Sequence, residues 1–123
     1  KINFLGAMEN KEIRNVMPQY FCLAMPSYPE TFGMVYVEAL SQKIPVVTSN
    51  RAGIAGYIND RVYVKAIDER SSAALREAII FFKQNQIHVK RSIQDDSATL
   101  LYNIFSDKMI SDRYISKMHE LKQ

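Results

Sequence analysis

Short continuous apolar runs alternate along the chain with longer stretches in which apolar residues recur every three to four positions. The runs suit strands buried in a parallel sheet and the longer periodicity suits amphipathic helices. Ile2–Leu5 reads as a strand and Gly6-Ala7-Met8 as the loop leaving it. Ile13, Val16 and Met17 then form the apolar face of a helix capped at Asn10 and ended near Pro18. Phe21–Met25 and Ile44–Thr48 predict fully buried strands, with a helix reaching about Gln42 between them. Lys43 at its end is explained by the helix dipole. Ser49–Gly53 is a predicted loop, Ile54–Ile58 a short helical turn and Arg61–Val64 a fourth short strand. Leu75, Ala78, Ile79 and Phe82 place a helix from about Ser71. Further helices are expected at about Ile93–Phe105 and Asp107–Leu121, the latter with Ile110, Tyr114, Met118 and Leu121 on one face. Strands alternating with helices predict an α/β architecture, a parallel sheet flanked by helices, in a single domain over residues 1–123.

The densest chemistry lies between the second strand and its helix, in Pro26-Ser27-Tyr28-Pro29-Glu30-Thr31-Phe32-Gly33-Met34-Val35-Tyr36-Val37-Glu38. Pro26 and Pro29 end the strand, because neither can donate to a ladder. Gly33 permits close backbone approach at the first turn of the helix. The N–H groups of Gly33, Met34 and Val35, backed by the positive end of the helix dipole, make an anion site. Glu38 lies about one turn along, and helical side chains lean toward the N-terminus, so its carboxylate should return toward Glu30. The dipole alone favours acidic residues near a helix start. Two carboxylates at an anion site are nevertheless reconciled by a ligand with both phosphate and hydroxyls, a phosphorylated sugar or sugar nucleotide.

Composition narrows the alternatives. Hydrophobic residues at 47% and charged residues at 24% are ordinary for a globular domain. The single Cys22 excludes an internal disulfide and a cysteine metal cluster, and its apolar setting predicts a reduced, buried, inert thiol. His88 and His119 have no partner at metal-ligand spacing and are read as solvated, and no D-x-D triplet is present, so no metal site is expected. The net charge of +3 is interspersed, which argues against nucleic acid while remaining compatible with peripheral association at an anionic membrane. No apolar run reaches the ~20 residues of a spanning helix. G-x-S-x-G, H-E-x-x-H, Walker and G-x-G-x-x-G patterns are absent, which removes hydrolase triads, zinc peptidases and simple NAD enzymes.

P-S-x-x-E-x-F-G-x-V-x-x-E-A-L followed by Ile44-Pro45-Val46-Val47 resembles the donor-binding half of the retaining family-four glycosyltransferases of GT-B fold. Ile2–Gly6 matches that family's short strand ending in glycine, and the likeness covers about Ile2 to Val64 well. The resemblance implies the C-terminal part of a Rossmann-like donor domain, with an N-terminal acceptor domain and earlier strands outside this chain. It implies transfer, with retention, of a sugar from a nucleoside-diphosphate donor, UDP before GDP, to a hydroxyl of a glycan or lipid-linked saccharide, without a divalent metal. The implied setting is bacterial polysaccharide or lipopolysaccharide biosynthesis, in the cytoplasm or at the inner face of the plasma membrane. By the same resemblance Glu30 is the catalytic residue that holds donor-sugar hydroxyls, and Glu38 binds the ribose. Thr31 and Phe32 shape the sugar side, the amides of Gly33, Met34 and Val35 hold the diphosphate, and Gly6, Ala7 and Met8 line the base. The family's paired glycines and following acid are replaced by Ala52-Gly53-Ile54-Ala55-Gly56, and the aromatic that often follows Phe-Ser by Asp107. A sugar-nucleotide epimerase on the same scaffold and a non-catalytic sugar-nucleotide-binding module are the alternatives.

In the usual order of such sheets, 3-2-1-4-5-6, Ile2–Leu5 would be the third strand and Phe21–Met25 the fourth, separated by strands outside the chain. The expectation is that the exposed edge of Phe21–Met25 is covered, either by Ile2–Leu5 moving inward or by a second copy of the chain.

Overall fold

Three short strands lie side by side in the order β1 (Leu23–Met25), β2 (Val46–Ser49) and β3 (Val64–Ile67), all parallel. These come from a computed structural model that describes residues 2–31, 33–58 and 61–96. The ladder pairs Leu23 with Val46 and Met25 with Thr48 on one side of β2, and Val46 with Val64 and Ser49 with Ile67 on the other. Helix α1 (Asn10–Val16) precedes β1, α2 (Met34–Ser41) joins β1 to β2, and the single turn α3 (Ala55–Ile58) joins β2 to β3. Helices α4 (Ser72–Gln84) and α5 (Gln86–Asp96) follow. The α/β class, the parallel sheet and the flanking helices agree with the hydrophobic pattern.

Every residue of β2 is buried, as a central strand with apolar cover requires. Tyr36 and Leu40 of α2, Ile54 and Ile58 around α3, Phe82 of α4, and Val89 and Ile93 of α5 are at most 2% exposed and form one cluster with Val46 and Val47. Each such side chain contributes about 1.5–3 kcal/mol. Helix α4 starts where a cap exists: the Ser71 hydroxyl accepts the N–H of Ala74 at 3.1 Å. Helix α2 ends in a Schellman turn, with Ile44 N–H on Ala39 O and Lys43 N–H on Leu40 O, both at 2.9 Å, and Lys43 at φ 62°. Lys43 is therefore the left-handed residue of the stop as well as a charge at the dipole's end.

Several expectations are corrected. Residues 2–5 form no strand, and Ile2 and Phe4 are 82% and 95% exposed, because no described strand lies beside them to complete a ladder. They do not move inward to cover β1. The second strand is shorter than Phe21–Met25 and only half-buried, with Ala24 exposed, since it pairs with β2 alone. The third begins at Val46, after Pro45, whose carbonyl receives the Leu23 N–H. The fourth occupies Val64–Ile67 rather than Arg61–Val64. Val62 and Tyr63 are apolar because they pack at the sheet's lower end, while the register with β2 carries the ladder on through Lys65. Helix α1 is capped by Glu9 rather than Asn10, with the Glu12 carboxylate accepting the Glu9 N–H at 2.9 Å. Helix α5 starts at Gln86, seven residues before the helix expected at Ile93. The helix over Asp107–Leu121, the rest of that over Ile93–Phe105, and His119 lie outside the described residues. His88 is exposed, as read.

Candidate functional site

Parallel strands bring their carboxyl ends to one edge of the sheet, and the loops leaving that edge are where open α/β sheets take ligands. Here they are residues 26–31 and Gly33 after β1, 50–54 after β2 and 68–71 after β3.

The first loop is shaped by Gly33 and Tyr36. Gly33 caps α2 with φ 79° and ψ 67°, a left-handed conformation that costs glycine nothing. A Cβ there would also lie 2.2 Å and 2.4 Å from ring carbons of Tyr36. Tyr36 is completely buried, its N–H bonds back to Gly33 O at 3.0 Å, and its hydroxyl donates to Met25 O at the end of β1. One ring thus fixes both ends of the loop. Apart from that of Tyr36, the first-turn amides of α2, those of Met34 and Val35, have no acceptor within the helix. Glu30 is half-buried within the loop, Thr31 is exposed, and Phe32 lies outside the described residues.

Glu38 is the fifth residue of α2 and half-buried, and Arg14 of α1 places Nη2 3.8 Å from its Oε1. A second contact joins the residues that cap the ends of the same helices, Gln42 Nε2 donating to Met17 Sδ at 3.7 Å. Helix α1 is therefore anchored to the helix that carries Glu38, and the Gly6-Ala7-Met8 segment, exposed at Gly6 and Ala7 and half-buried at Met8, runs ahead of it. Gly33, Met34, Val35 and Glu38 share one helix, with Glu30 three residues ahead of its cap.

Three residues without a sequence motif complete this edge. The Arg51 guanidinium carbon sits 3.5 Å from the Tyr28 ring centroid, and its Nη2 is 2.6 Å from Glu69 Oε1. The buried Ser49 hydroxyl donates to Glu69 Oε2 and accepts the Arg51 N–H, both at 3.1 Å. The Glu69 carboxyl is held below the usual range, chiefly by its own backbone N–H, then by Ser49 and Arg51. Tyr36 could have been suspected as the aromatic three residues after a cap glycine; Tyr28, Arg51 and Glu69 become visible only with the strand register. Gly56, at the position of the family's acid, has open space around it and ordinary backbone.

Among the described residues no group of three or more His, Cys, Asp or Glu side chains is placed to hold a metal ion. No described helix is long and apolar enough to cross a membrane.

The chain is similar in sequence to known proteins. A protein of Bacillus subtilis (strain 168), TuaC, provisionally named a teichuronic acid biosynthesis glycosyltransferase, is 29% identical over 91 residues, 74% of this chain and 23% of that protein. An uncharacterized 41.2 kDa protein in the cps region of Klebsiella pneumoniae is 41% identical over 61 residues, 46% of this chain and 16% of that protein. The chain thus spans less than a quarter of the length of these curated relatives. The family model for glycosyl transferases group 1 matches residues 1–97, which include every element described, and the chain belongs to that family.

Proposed function

We propose that the chain is the C-terminal part of the donor-binding domain of a retaining family-four glycosyltransferase. In the whole enzyme it binds a nucleoside-diphosphate sugar, UDP-linked by preference, and the sugar passes to a hydroxyl of a growing glycan or lipid-linked saccharide on a separate acceptor domain. The observation that carries this reading is the first turn of α2, left-handed at Gly33 and held by Tyr36, with Glu30 before it and Glu38 one turn further along the helix. The amides of Gly33, Met34 and Val35 bind the diphosphate. As the bond from the anomeric carbon to the diphosphate oxygen breaks, negative charge grows on that oxygen. Donors already aimed there lower the barrier without reorganising. Glu30 accepts hydrogen bonds from donor-sugar hydroxyls and Glu38 from the ribose diol. Arg14, 3.8 Å from Glu38, is the group a ribose would displace. By the family resemblance the backbone of Gly6, Ala7 and Met8 serves the base side, and Thr31 and Phe32 shape the sugar side.

The test is a pair of variants in the intact enzyme. Glu38→Ala weakens binding of the free nucleoside diphosphate at least tenfold. Glu30→Ala leaves that binding within about twofold and removes most sugar transfer, since hydrogen bonds to charged groups are worth ~1.5–3 kcal/mol. Equal losses of nucleoside-diphosphate binding in both would refute the division of roles, and binding without transfer by the wild type would leave a binding module. The proposed mechanism uses helix dipole and amides in place of a cation, so transfer survives EDTA within about twofold.

A further inference from the structure

The parallel register places Tyr28, Arg51 and Glu69 level with one another across the ligand edge. Met25 pairs with Thr48, so Tyr28 and Arg51 each stand three residues beyond a paired position. Ser49 pairs with Ile67, so Arg51 and Glu69 each stand two beyond. The middle residue is a planar cation and its neighbours offer what such a cation takes, a π face and a carboxylate. Glu69 is the fixed end, its side chain only 15% exposed and its second oxygen held by the fully buried Ser49 hydroxyl, which also accepts the Arg51 amide. Tyr28 is the loose end, 53% exposed, on the loop after β1 that carries Glu30 two residues later.

We infer that Arg51 is a positioning residue. Anchored on Glu69 and Ser49, its guanidinium is the shelf on which Tyr28 rests, and it holds the Tyr28–Thr31 turn, and with it Glu30, against the ends of β2 and β3. An isolated exposed ion pair would do little. Here one partner is nearly buried, the carboxylate is already oriented, and the opposite face of the cation lies on a loop of different origin. The role ascribed to Glu30 rests on the function proposed above; the tethering of the loop does not.

The experiment measures amide hydrogen exchange at Tyr28, Glu30 and Thr31 in the intact protein, beside donor kinetics. Arg51→Ala is expected to speed exchange at these three amides at least threefold while Val46, Val47 and Thr48 stay unchanged. It should lower kcat for transfer at least fivefold with the nucleoside-diphosphate Kd within twofold. Tyr28→Ala at an exposed position should reproduce both effects even if Arg51→Ala folds poorly, and the double variant should be no worse than either alone. Tyr28→Phe keeps the ring and should keep wild-type exchange, and Arg51→Lys, which loses the planar fork, should fall between. Unchanged exchange in Tyr28→Ala and Arg51→Ala, or fully additive effects, would overturn the inference. If the wild type transfers no sugar from any nucleotide donor, the proposed function fails, and the exchange measurements still decide the tether.

Discussion

Three residues show how one backbone variable sets the direction of a substitution's effect. Gly33 and Lys43 both have positive φ, 79° and 62°, at the two ends of α2, whereas Gly56 does not. Gly33→Ala meets both the left-handed penalty and the Tyr36 ring 2.2 Å away, and is expected to cost about 2–4 kcal/mol in urea unfolding. Lys43→Gly relieves the same backbone penalty in a turn that favours glycine and should stabilise by about 0.5–1 kcal/mol. Gly56→Ala enters open space in α3 and should also stabilise, by about 0.5–1 kcal/mol. A loss at Lys43→Gly comparable to that at Gly33→Ala would show that φ is not the governing term. Cys22 gives a pH prediction. The structure leaves it half-buried rather than buried as expected, because β1 is an edge strand, and that partial burial raises its thiol from 9.0 to about 11, so the folded state holds the proton longer than the unfolded chain does. Its contribution to stability is complete below pH 9 and is lost as pH rises through 11. Alkylation of the native thiol at pH 8 should run at least tenfold slower than in urea, since a two-unit shift alone lowers the thiolate fraction about a hundredfold. Equal rates would show a solvated thiol.

At the scale of elements, the link that matters most is between α2 and β1, through the Tyr36 hydroxyl on Met25 O. Tyr36→Phe keeps the buried ring and removes only that bond, so unfolding should become easier by about 1–2 kcal/mol with helical content unchanged. A midpoint unaltered in urea would leave the hydroxyl no structural role. The hydrophobic pattern made β2 and α4 legible, β2 as a continuous apolar run and α4 by its helical period, while α2 was legible from the strand, turn residues and Gly33 that precede it. Helix α5 was not legible: it reaches the core through Val89 and Ile93 alone, two residues one turn apart among polar neighbours. Its start depends on Asn85, which closes α4 with N–H and Nδ2 on Phe81 O and opens α5 by accepting the Val89 N–H. The β3 boundary was misplaced for a related reason, since Lys65 lies within the strand and rests its ammonium 4.1 Å from the centre of the Phe81 ring. The turn at Gly33 was readable from neighbouring residues. The Tyr28–Arg51–Glu69 row, whose members are separated in sequence and aligned only by strand register, was not.

At the scale of the molecule, the sheet has two edges that differ in their protection. β3 carries Lys65, and a charge on an edge strand discourages further pairing. β1 consists of Leu23, Ala24 and Met25, with neither charge nor proline, and only its β2 side is paired among the described residues. Residues 2–5, expected to cover that edge, are not paired with it. The Leu23 N–H points to β2, on Pro45 O, so by alternation the Ala24 N–H points to the open side, and Ala24 is exposed. An apolar edge with free donors pairs with whatever strand is offered, and for the 123-residue chain in isolation that is a second copy. Its mass by light scattering is therefore expected to rise from one chain toward two over about 10–300 µM. Ala24→Pro removes the outward donor while leaving the β2 ladder intact, since Leu23 before it is already extended. That variant should remain monomeric with the same helical signal. A wild-type chain monomeric across the whole range would show that the β1 edge is protected by something other than a partner strand.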